Sequence, residues 1–264
     1  MFRGGCSIVP TASTGGLAAG TIIPLLGLDF ADADAQAAIA ALQARSSGER
    51  FAYWATPNAD HLVRLARQPE LRPLYQGADA LLLDSRVVAR LARALRLPAP
   101  PVVPGSDLTA ALFGQVIGRD DPITMLGGSA ETAAALRARF RLSRLRHHNP
   151  PMGFDAAPEA LEAALQFLEA EPARFHLLAV GSPRQERVAQ ALRARGRATG
   201  LALCIGASLL FLTGEERRAP GLLQRAGLEW AWRLAANPRR LARRYLVDDP
   251  LILRLLFREA LRHR

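Results

Sequence analysis

The sequence contains no lysine, so all 34 of its basic residues are arginine. Cysteine is nearly absent: Cys6 and Cys204 have no spacing typical of a metal site, which favours a reduced, cytoplasmic protein. Aromatic residues make up only 6% of the chain, which argues against the base-stacking surface of a nucleic-acid binder. No apolar run reaches the ~20 residues that a membrane-spanning helix needs.

Positive charge is abundant and unevenly distributed. The net charge is +10 over 264 residues, and the segment 215–264 contributes +6 of it with twelve arginines and six acidic residues. GC-rich coding would also favour arginine, but it does not explain this asymmetry. The segment therefore indicates an anionic partner, which leaves nucleic acid, anionic lipid and a phosphorylated substrate as alternatives.

Short apolar runs alternate with amphipathic helical patterns from about residue 21 to Gly214. Strands are predicted over 21–30, 50–56, 78–84, 121–128, 174–180 and 201–207. Helices are predicted over 32–45, 57–68, 85–97, 129–140 (with Ser129 as N-cap), 161–171 and 184–195. This pattern predicts a Rossmann-like α/β fold, an open and mostly parallel sheet covered by helices.

The chain divides into three predicted parts. Residues 1–20 are expected to form a loose tail rather than a signal peptide, since no small-residue cleavage site is evident. Residues 21–214 are expected to form the catalytic α/β core. Residues 215–264 are expected to form an arginine-rich helical appendage.

Polar residues follow the predicted strands, at the edge where such sheets bind ligands. Thr56 and Asn58 follow one strand and Asp84 ends the next. Each side chain could simply cap the following helix. Alternatively, Asp84 could act as a general base, held rigidly beside a ligand.

Other strand ends offer weaker candidates. In "VVPGSDLT", Gly105 allows close backbone approach, and Ser106 or Asp107 is predicted to cap a helix. Asp107 is also a candidate substrate-binding residue. Gly127 and Gly128 precede a helix and could cradle a phosphate or a ribose, although their spacing matches neither the dinucleotide nor the P-loop motif. The adjacent pair His147–His148 would point to opposite faces of a strand, which argues against a shared metal ion.

The stretch "HLLAVGSPRQERVAQALRAR" places Arg184, Gln185 and Glu186 in the first turn of a helix, directly after a buried strand. Helix capping and ligand binding both remain possible explanations. Taken together, the strand ends indicate an enzyme for an elongated, phosphorylated ligand. The alternatives are a non-catalytic nucleotide or anionic-polymer binding protein and an NAD-linked enzyme, although the last lacks a Gly-x-Gly-x-x-Gly turn.

Four segments carry a resemblance to a known family. They are "TPNADHLVRLARQPELRPLYQGADALLLDS", "PGSDLT", "LLAVGSPRQE" and "RRAPGLLQRAGLEWAWRLAANPRRLARRYL". In this order, over roughly residues 22–248, the chain resembles the WecG/TagA/CpsF glycosyltransferases. The shorter stretches "PPMGF", "LCIGASLLFLTG" and "ERRAP" are similar to the exopolysaccharide-cluster branch of that family.

The resemblance implies an inverting, metal-independent enzyme without a cofactor. The implied donor is a UDP-sugar, and the implied acceptor is a sugar on polyprenyl pyrophosphate at the cytoplasmic membrane face. Asp84 matches the family's proposed base, and Thr56, Asn58 and Gln185 match pocket residues. The appendage is expected to close over the site, with arginines that contact the substrate: Arg218, Arg233, Arg240 and Arg244. Nucleic acid is not an expected partner, whereas self-association is.

Three positions depart from the family pattern that the resemblance implies. Ser85 follows Asp84 where relatives usually have glycine, and Leu210 replaces a common aspartate. Val102 stands where relatives often have an arginine, which the resemblance implies to be in contact with the diphosphate. Either an arginine of the appendage substitutes for that side chain, or the donor differs.

The last segment, "PLILRLLFREALRHR", has helical periodicity. Arg254, Arg258 and Arg262 fall at i, i+4 and i+8, beside a broad apolar face that includes Phe257. An ordinary helix packed on its own core would show this pattern. So would an interfacial helix on an anionic membrane surface.

Overall fold

The computed structural model describes residues 17, 21–216, 220, 223, 231, 232, 234 and 251–262. The predicted N-terminal tail lies outside the described residues except for Leu17. So do four candidate appendage arginines, Arg218, Arg233, Arg240 and Arg244.

The described strands form a hairpin and a six-stranded sheet. The hairpin strands are β1 (Ile22–Leu25) and β2 (Leu28–Ala31). The sheet strands are β3 (Ala52–Ala55), β4 (Ala80–Leu81), β5 (Ile123–Leu126), β6 (Leu145–His148), β7 (Phe175–Leu178) and β8 (Leu201–Cys204). The sheet has the order β4-β3-β8-β7-β5-β6 and all its pairs are parallel. The predicted open, parallel α/β fold is therefore confirmed.

Helices connect these strands. They are α1 (Ala35–Ala44), α2 (Ala59–Arg67), α3 (Arg72–Gln76), α4 (Arg86–Ala94), α5 (Gly105–Ala111), α6 (Ala130–Phe140), α7 (Pro158–Glu169), α8 (Arg184–Arg195), α9 (Ser208–Thr213) and α10 (Leu251–Arg262). Ser129 caps α6 as predicted, because its hydroxyl accepts from the backbone N–H of Thr132 at 3.1 Å. The predicted cap of α5 is wrong: Pro104 holds the N-cap position, and Asp107 lies in the first turn.

The segment 21–30 was predicted as one strand, and the structure corrects this to the β1–β2 hairpin. Leu26 and Gly27 form the two-residue turn with φ of 54° and 75°. A two-residue turn with both φ values positive matches the twist of antiparallel strands. Strand β6 was not predicted, since "LRHH" is too polar to stand out as a buried strand.

Two hydrophobic clusters cover the two faces of the sheet. Successive side chains of a strand point to opposite faces. Tyr53 of β3 accordingly belongs to the cluster under α2, α4, α7 and α8, whereas its neighbour Trp54 belongs to the cluster under α1, α5 and α6. Both rings are almost fully buried. This two-sided core holds the strand ends rigidly.

Helix α10 closes one side of the first cluster. Its Ile252 and Leu256 are buried, and the helix packs against α2 and α4. The Glu259 carboxylate accepts from the backbone N–H of Leu26, at 3.0 and 2.8 Å to its two oxygens. One ridge of α10 thus packs on the core while Phe257 remains 56% exposed. None of the described helices is long and apolar enough to cross a membrane.

Candidate active site

The carboxyl ends of β3 and β4 bring Thr56 and Asp84 together. A backbone hydrogen bond of 3.0 Å from Asp84 N–H to the carbonyl of Pro57 fixes the two loops. Both side chains face Gly105, the first residue of α5. A Cβ added there would lie 2.7 Å from Thr56 Oγ1 and 3.6 Å from Asp84 Oδ2. The predicted pair is therefore one local site, and it needs glycine at position 105.

Asp84 lies just before the N-terminus of α4. Ser85 is the N-cap of this helix, because its hydroxyl accepts from Val88 N–H at 3.2 Å. Ser85 therefore makes a capping hydrogen bond with its side chain, which glycine lacks. The next residue, Arg86, approaches the Asp107 carboxylate at 4.0 Å, and both side chains are about one-third exposed, at 34% and 39%. Asp107 thus lies beside the site, paired with a cation that was not predicted.

Asn58 caps α2 with a capping box. Its side-chain oxygen accepts from His61 N–H at 3.3 Å, and Asn58 N–H donates to His61 Nδ1 at 3.2 Å. Of the two roles considered for Asn58, helix capping is therefore observed. The residue is still only half-buried at the carboxyl end of β3, next to Thr56.

Gln185 is buried, with 4% exposure, and bridges two strand-end loops. Its Oε1 accepts from Gly206 N–H at 3.0 Å, after β8, and its Nε2 donates to Glu186 Oε1 at 2.9 Å. Glu186 is 1% exposed, and burial raises the pKa of its carboxyl. Gln185 and Glu186 thus form an internal polar pair at the start of α8, whereas Arg184 is only half-buried.

A second group of polar side chains joins these loops and was not predicted. Ser182 Oγ accepts from Arg64 Nη1 at 3.3 Å and lies 2.9 Å from the Tyr75 hydroxyl. Arg64 also pairs with Asp60 at 2.8 Å. The only sequence signal was the position of Ser182 directly before "PRQE". Contacts over 107 and 118 residues leave no local pattern.

Gly127 and Gly128 form a tight turn after β5. A Cβ on Gly127 would lie 2.7 Å from the carbonyl oxygen of Ala179, so the first glycine is required by the neighbouring loop. The His147 Nε2 lies 3.2 and 3.1 Å from the two glycine carbonyls. Beyond the turn, the Thr132 hydroxyl donates to Glu215 at 2.7 Å, in the first turn of α6. A phosphate-binding turn at Gly127 and Gly128 stays a prediction. The nearby Glu215 carboxylate is an acidic neighbour of this turn.

The order of the strands also places a switch point at the same edge. Strand β5 leads through α6 to β6 on one side, and its neighbour β7 leads through α8 to β8 on the other. Crevices at such switch points are where open α/β sheets bind ligands. Gly127 follows β5 and Ser182 follows β7, so they flank this switch point, whereas Thr56 and Asp84 follow strands further along the same edge. An elongated ligand along this edge stays a prediction.

Within the described residues, no three His, Cys, Asp or Glu side chains are grouped so that they could hold a metal ion. The described thiol, Cys204, is buried in β8, and burial raises its pKa. Val102 pairs with Leu83 in an isolated parallel bridge beside the site. The position where the resemblance leads us to expect an arginine is thus part of the sheet edge.

The comparison with protein families agrees with this geometry. The model of the glycosyl transferase WecG/TagA/CpsF family matches residues 23–264, which is nearly the whole chain. The match extends past the α/β core through α10, and it favours an enzyme over a non-catalytic binding protein. The chain belongs to the WecG/TagA/CpsF glycosyltransferase family, and it is a glycosyltransferase of polysaccharide synthesis.

Proposed function

We propose that the enzyme moves a sugar from a UDP-sugar to a sugar on polyprenyl pyrophosphate, with inversion and without a metal ion. Family membership supports sugar transfer. The observation that carries the finer proposal is the Asp84 carboxylate, held with Thr56 around Gly105 at the carboxyl edge of the sheet. A carboxylate in this position can take the proton of an acceptor hydroxyl that binds beside Thr56 and Gly105.

The proposed reaction is a single displacement. The acceptor oxygen attacks the anomeric carbon on the face opposite UDP, and a new carbon–oxygen bond forms. The bond from that carbon to the UDP oxygen breaks, and its electron pair leaves with UDP. The acceptor proton passes to Asp84. One displacement inverts the configuration, and Thr56, Asn58 and Gln185 are proposed to orient the sugars directly or by holding the loops.

Positive charge is needed where UDP departs. The N-termini of α4 and α5 contribute partial charge beside Asp84. Among the described arginines, Arg86 and Arg64 lie at the same edge, and a guanidinium can bind two phosphate oxygens at once. We propose that Arg86 compensates for Val102. The further proposed contacts come from the appendage: Arg218, Arg233, Arg240 and Arg244.

We further propose that the enzyme attaches peripherally to the inner face of the plasma membrane through α10. The support is a charged stripe beside exposed apolar side chains, with Leu253, Phe257 and Leu261 at 50%, 56% and 55% exposure. Arg254, Arg258 and Arg262 of this helix would pair with anionic lipid. The product is proposed to enter an exopolysaccharide, and self-association is proposed to accompany membrane release.

The test is the substitution Asp84→Asn, assayed with UDP-sugars and a lipid-pyrophosphate monosaccharide. Turnover should fall at least ~100-fold, because the base is lost, while calorimetric binding of UDP is retained. Asp32→Asn, an exposed aspartate after β2, is the matched control and should keep full turnover. Normal turnover by Asp84→Asn would exclude this base, and activity that EDTA abolishes and Mg²⁺ restores would exclude metal independence.

A further inference from the structure

An apolar groove lies between α4 and α10. It has a volume of about 410 Å³ and is lined by Leu91, Ala94, Leu95, Leu253, Arg254 and Phe257. Two of these side chains, Leu253 and Phe257, are at least half exposed. Apolar side chains that line a concave surface, rather than standing singly, mark a binding site for an apolar group.

The walls of this groove are held by the core. Ile252 and Leu256, on the buried ridge of α10, have 3% and 0% exposure, and Val88 and Ala92 on α4 are equally buried. The Glu259–Leu26 hydrogen bonds fix the far end of α10. The groove therefore exists before any ligand arrives, and filling it requires no rearrangement of the two helices.

The positive charge beside the groove indicates which kind of apolar ligand it binds. Arg254 lines the groove, and Arg258 follows one turn later on the same helix. The acidic side chain of α10, Glu259, is turned to the backbone of Leu26 instead. An apolar surface edged by guanidinium groups fits a hydrocarbon chain attached to a phosphate better than it fits an uncharged partner.

The groove also starts close to the catalytic edge. Helix α4 begins two residues after Asp84, and Leu91 is five residues further along it. At 1.5 Å per residue, this places the groove roughly 8–14 Å along α4 from its first residue. A molecule with its sugar at Asp84 and a hydrocarbon chain attached through pyrophosphate could span this distance.

We propose that the α4–α10 groove binds the first isoprenoid units of the lipid-linked acceptor. This inference rests on the proposed function, since it assigns a subsite to the proposed acceptor. Membrane phospholipid, which would only anchor the protein, is the competing occupant that the experiment must distinguish.

The experiment compares two acceptors with the same pyrophosphate-linked sugar, one on a long polyprenyl chain and one on a single methyl group, at fixed detergent. The wild-type enzyme should prefer the long chain at least ~10-fold in kcat/KM, because burying methylene groups is favourable. Ala94→Trp should fill the groove and Leu253→Gln should make it polar, and each should bring the ratio towards one. Ala135→Trp, at an exposed site on α6, should keep the wild-type ratio.

A ratio that both groove variants leave unchanged would overturn the proposal. So would a loss of vesicle binding in these variants without a change in the ratio, because phospholipid would then be the occupant. Binding of radiolabelled long-chain polyprenyl phosphate separates the groove from the proposed function. If the wild-type enzyme transfers to neither acceptor but binds this lipid, and Ala94→Trp does not, the groove stands and the acceptor assignment fails. If the wild-type enzyme does not bind polyprenyl phosphate, the proposal that the groove binds an isoprenoid chain is wrong.

Discussion

The side-chain nitrogen of Gln185 donates a hydrogen bond of 2.9 Å to the carboxylate of its neighbour Glu186, and both side chains are buried at the start of α8. Adjacent helical residues seldom bond in this way, because they point in different directions. Here the pair joins the loop after β7 to the loop after β8 through Gly206. The polar triplet after "GSP" is thus partly an internal brace of the catalytic edge.

Gln185→Ala should destabilise the fold by about 1–3 kcal/mol, because it removes the side-chain partner of the Gly206 N–H and one hydrogen bond of the buried Glu186 carboxyl. Urea unfolding measures this change. Gln166→Ala removes a similar side chain from an exposed i, i+4 bond on α7 and should cost less than ~0.5 kcal/mol. Equal effects of the two substitutions would show that Gln185 is not a brace.

Gly105→Ala should reduce turnover at least tenfold in a folded protein. The added methyl group would lie 2.7 Å from Thr56 Oγ1, so the threonine side chain must move from its place beside Asp84. Gly114→Ala is the matched control, since a Cβ there meets nothing within 4 Å. For both variants, kcat/KM measures the activity and thermal melting shows whether the protein is folded. Full activity in Gly105→Ala would mean that the observed Thr56–Asp84 arrangement is not the active one.

Stability should fall as the pH is lowered from 6.5 to 4 because of His176. This buried imidazole lies 2.7 Å from the Thr124 hydroxyl and 2.8 Å from the Thr199 carbonyl, and burial lowers its pKa to about 4. The unfolded chain therefore binds a proton in this range that the folded chain does not, which costs about 3 kcal/mol by pH 4. His176→Gln should flatten the dependence of unfolding free energy on pH between 6.5 and 5. An unchanged slope would contradict this assignment.

Replacing Arg254, Arg258 and Arg262 with Gln should weaken binding to anionic vesicles roughly 100-fold. Each arginine near such a surface contributes about 1 kcal/mol. Vesicle sedimentation at two ionic strengths measures the loss, which should shrink at high salt. The control removes the same charge from exposed positions outside α10: Arg119, Arg141 and Arg144. Equal losses in the two triple variants would show that net charge, rather than α10, attracts the protein.

The α/β layers followed from the sequence because every sheet strand except β6 is short, apolar and bounded by polar helical patterns. The bounds of α8 were predicted as observed, and Ser129 was identified as a cap, since both signals are local. Strand β6 was not predicted because three of its four side chains, those of Arg146, His147 and His148, are polar. The β1–β2 turn was missed because it places a leucine at positive φ, which the residue type does not suggest.

The candidate site was only partly predictable. Thr56 and Asp84 were identified because each follows an apolar strand, and parallel strands end at one edge. Arg86 was missed since its relation to Asp107 depends on how α4 and α5 approach each other. The contact between Tyr75 and Ser182 depends on the whole sheet order, which no short stretch encodes. The roles of individual site residues and the limits of the three predicted parts stay predictions.

The bond between Glu259 and Leu26 has a practical consequence for shortened versions of the enzyme. The carboxylate closes the turn of the first hairpin from 233 residues away, while Ile252 and Leu256 complete the interior beneath it. Removing residues 251–264 would remove this part of the core as well as the proposed lipid-facing surface. Point changes on the outer side of that helix therefore separate targeting from folding more cleanly than truncation does.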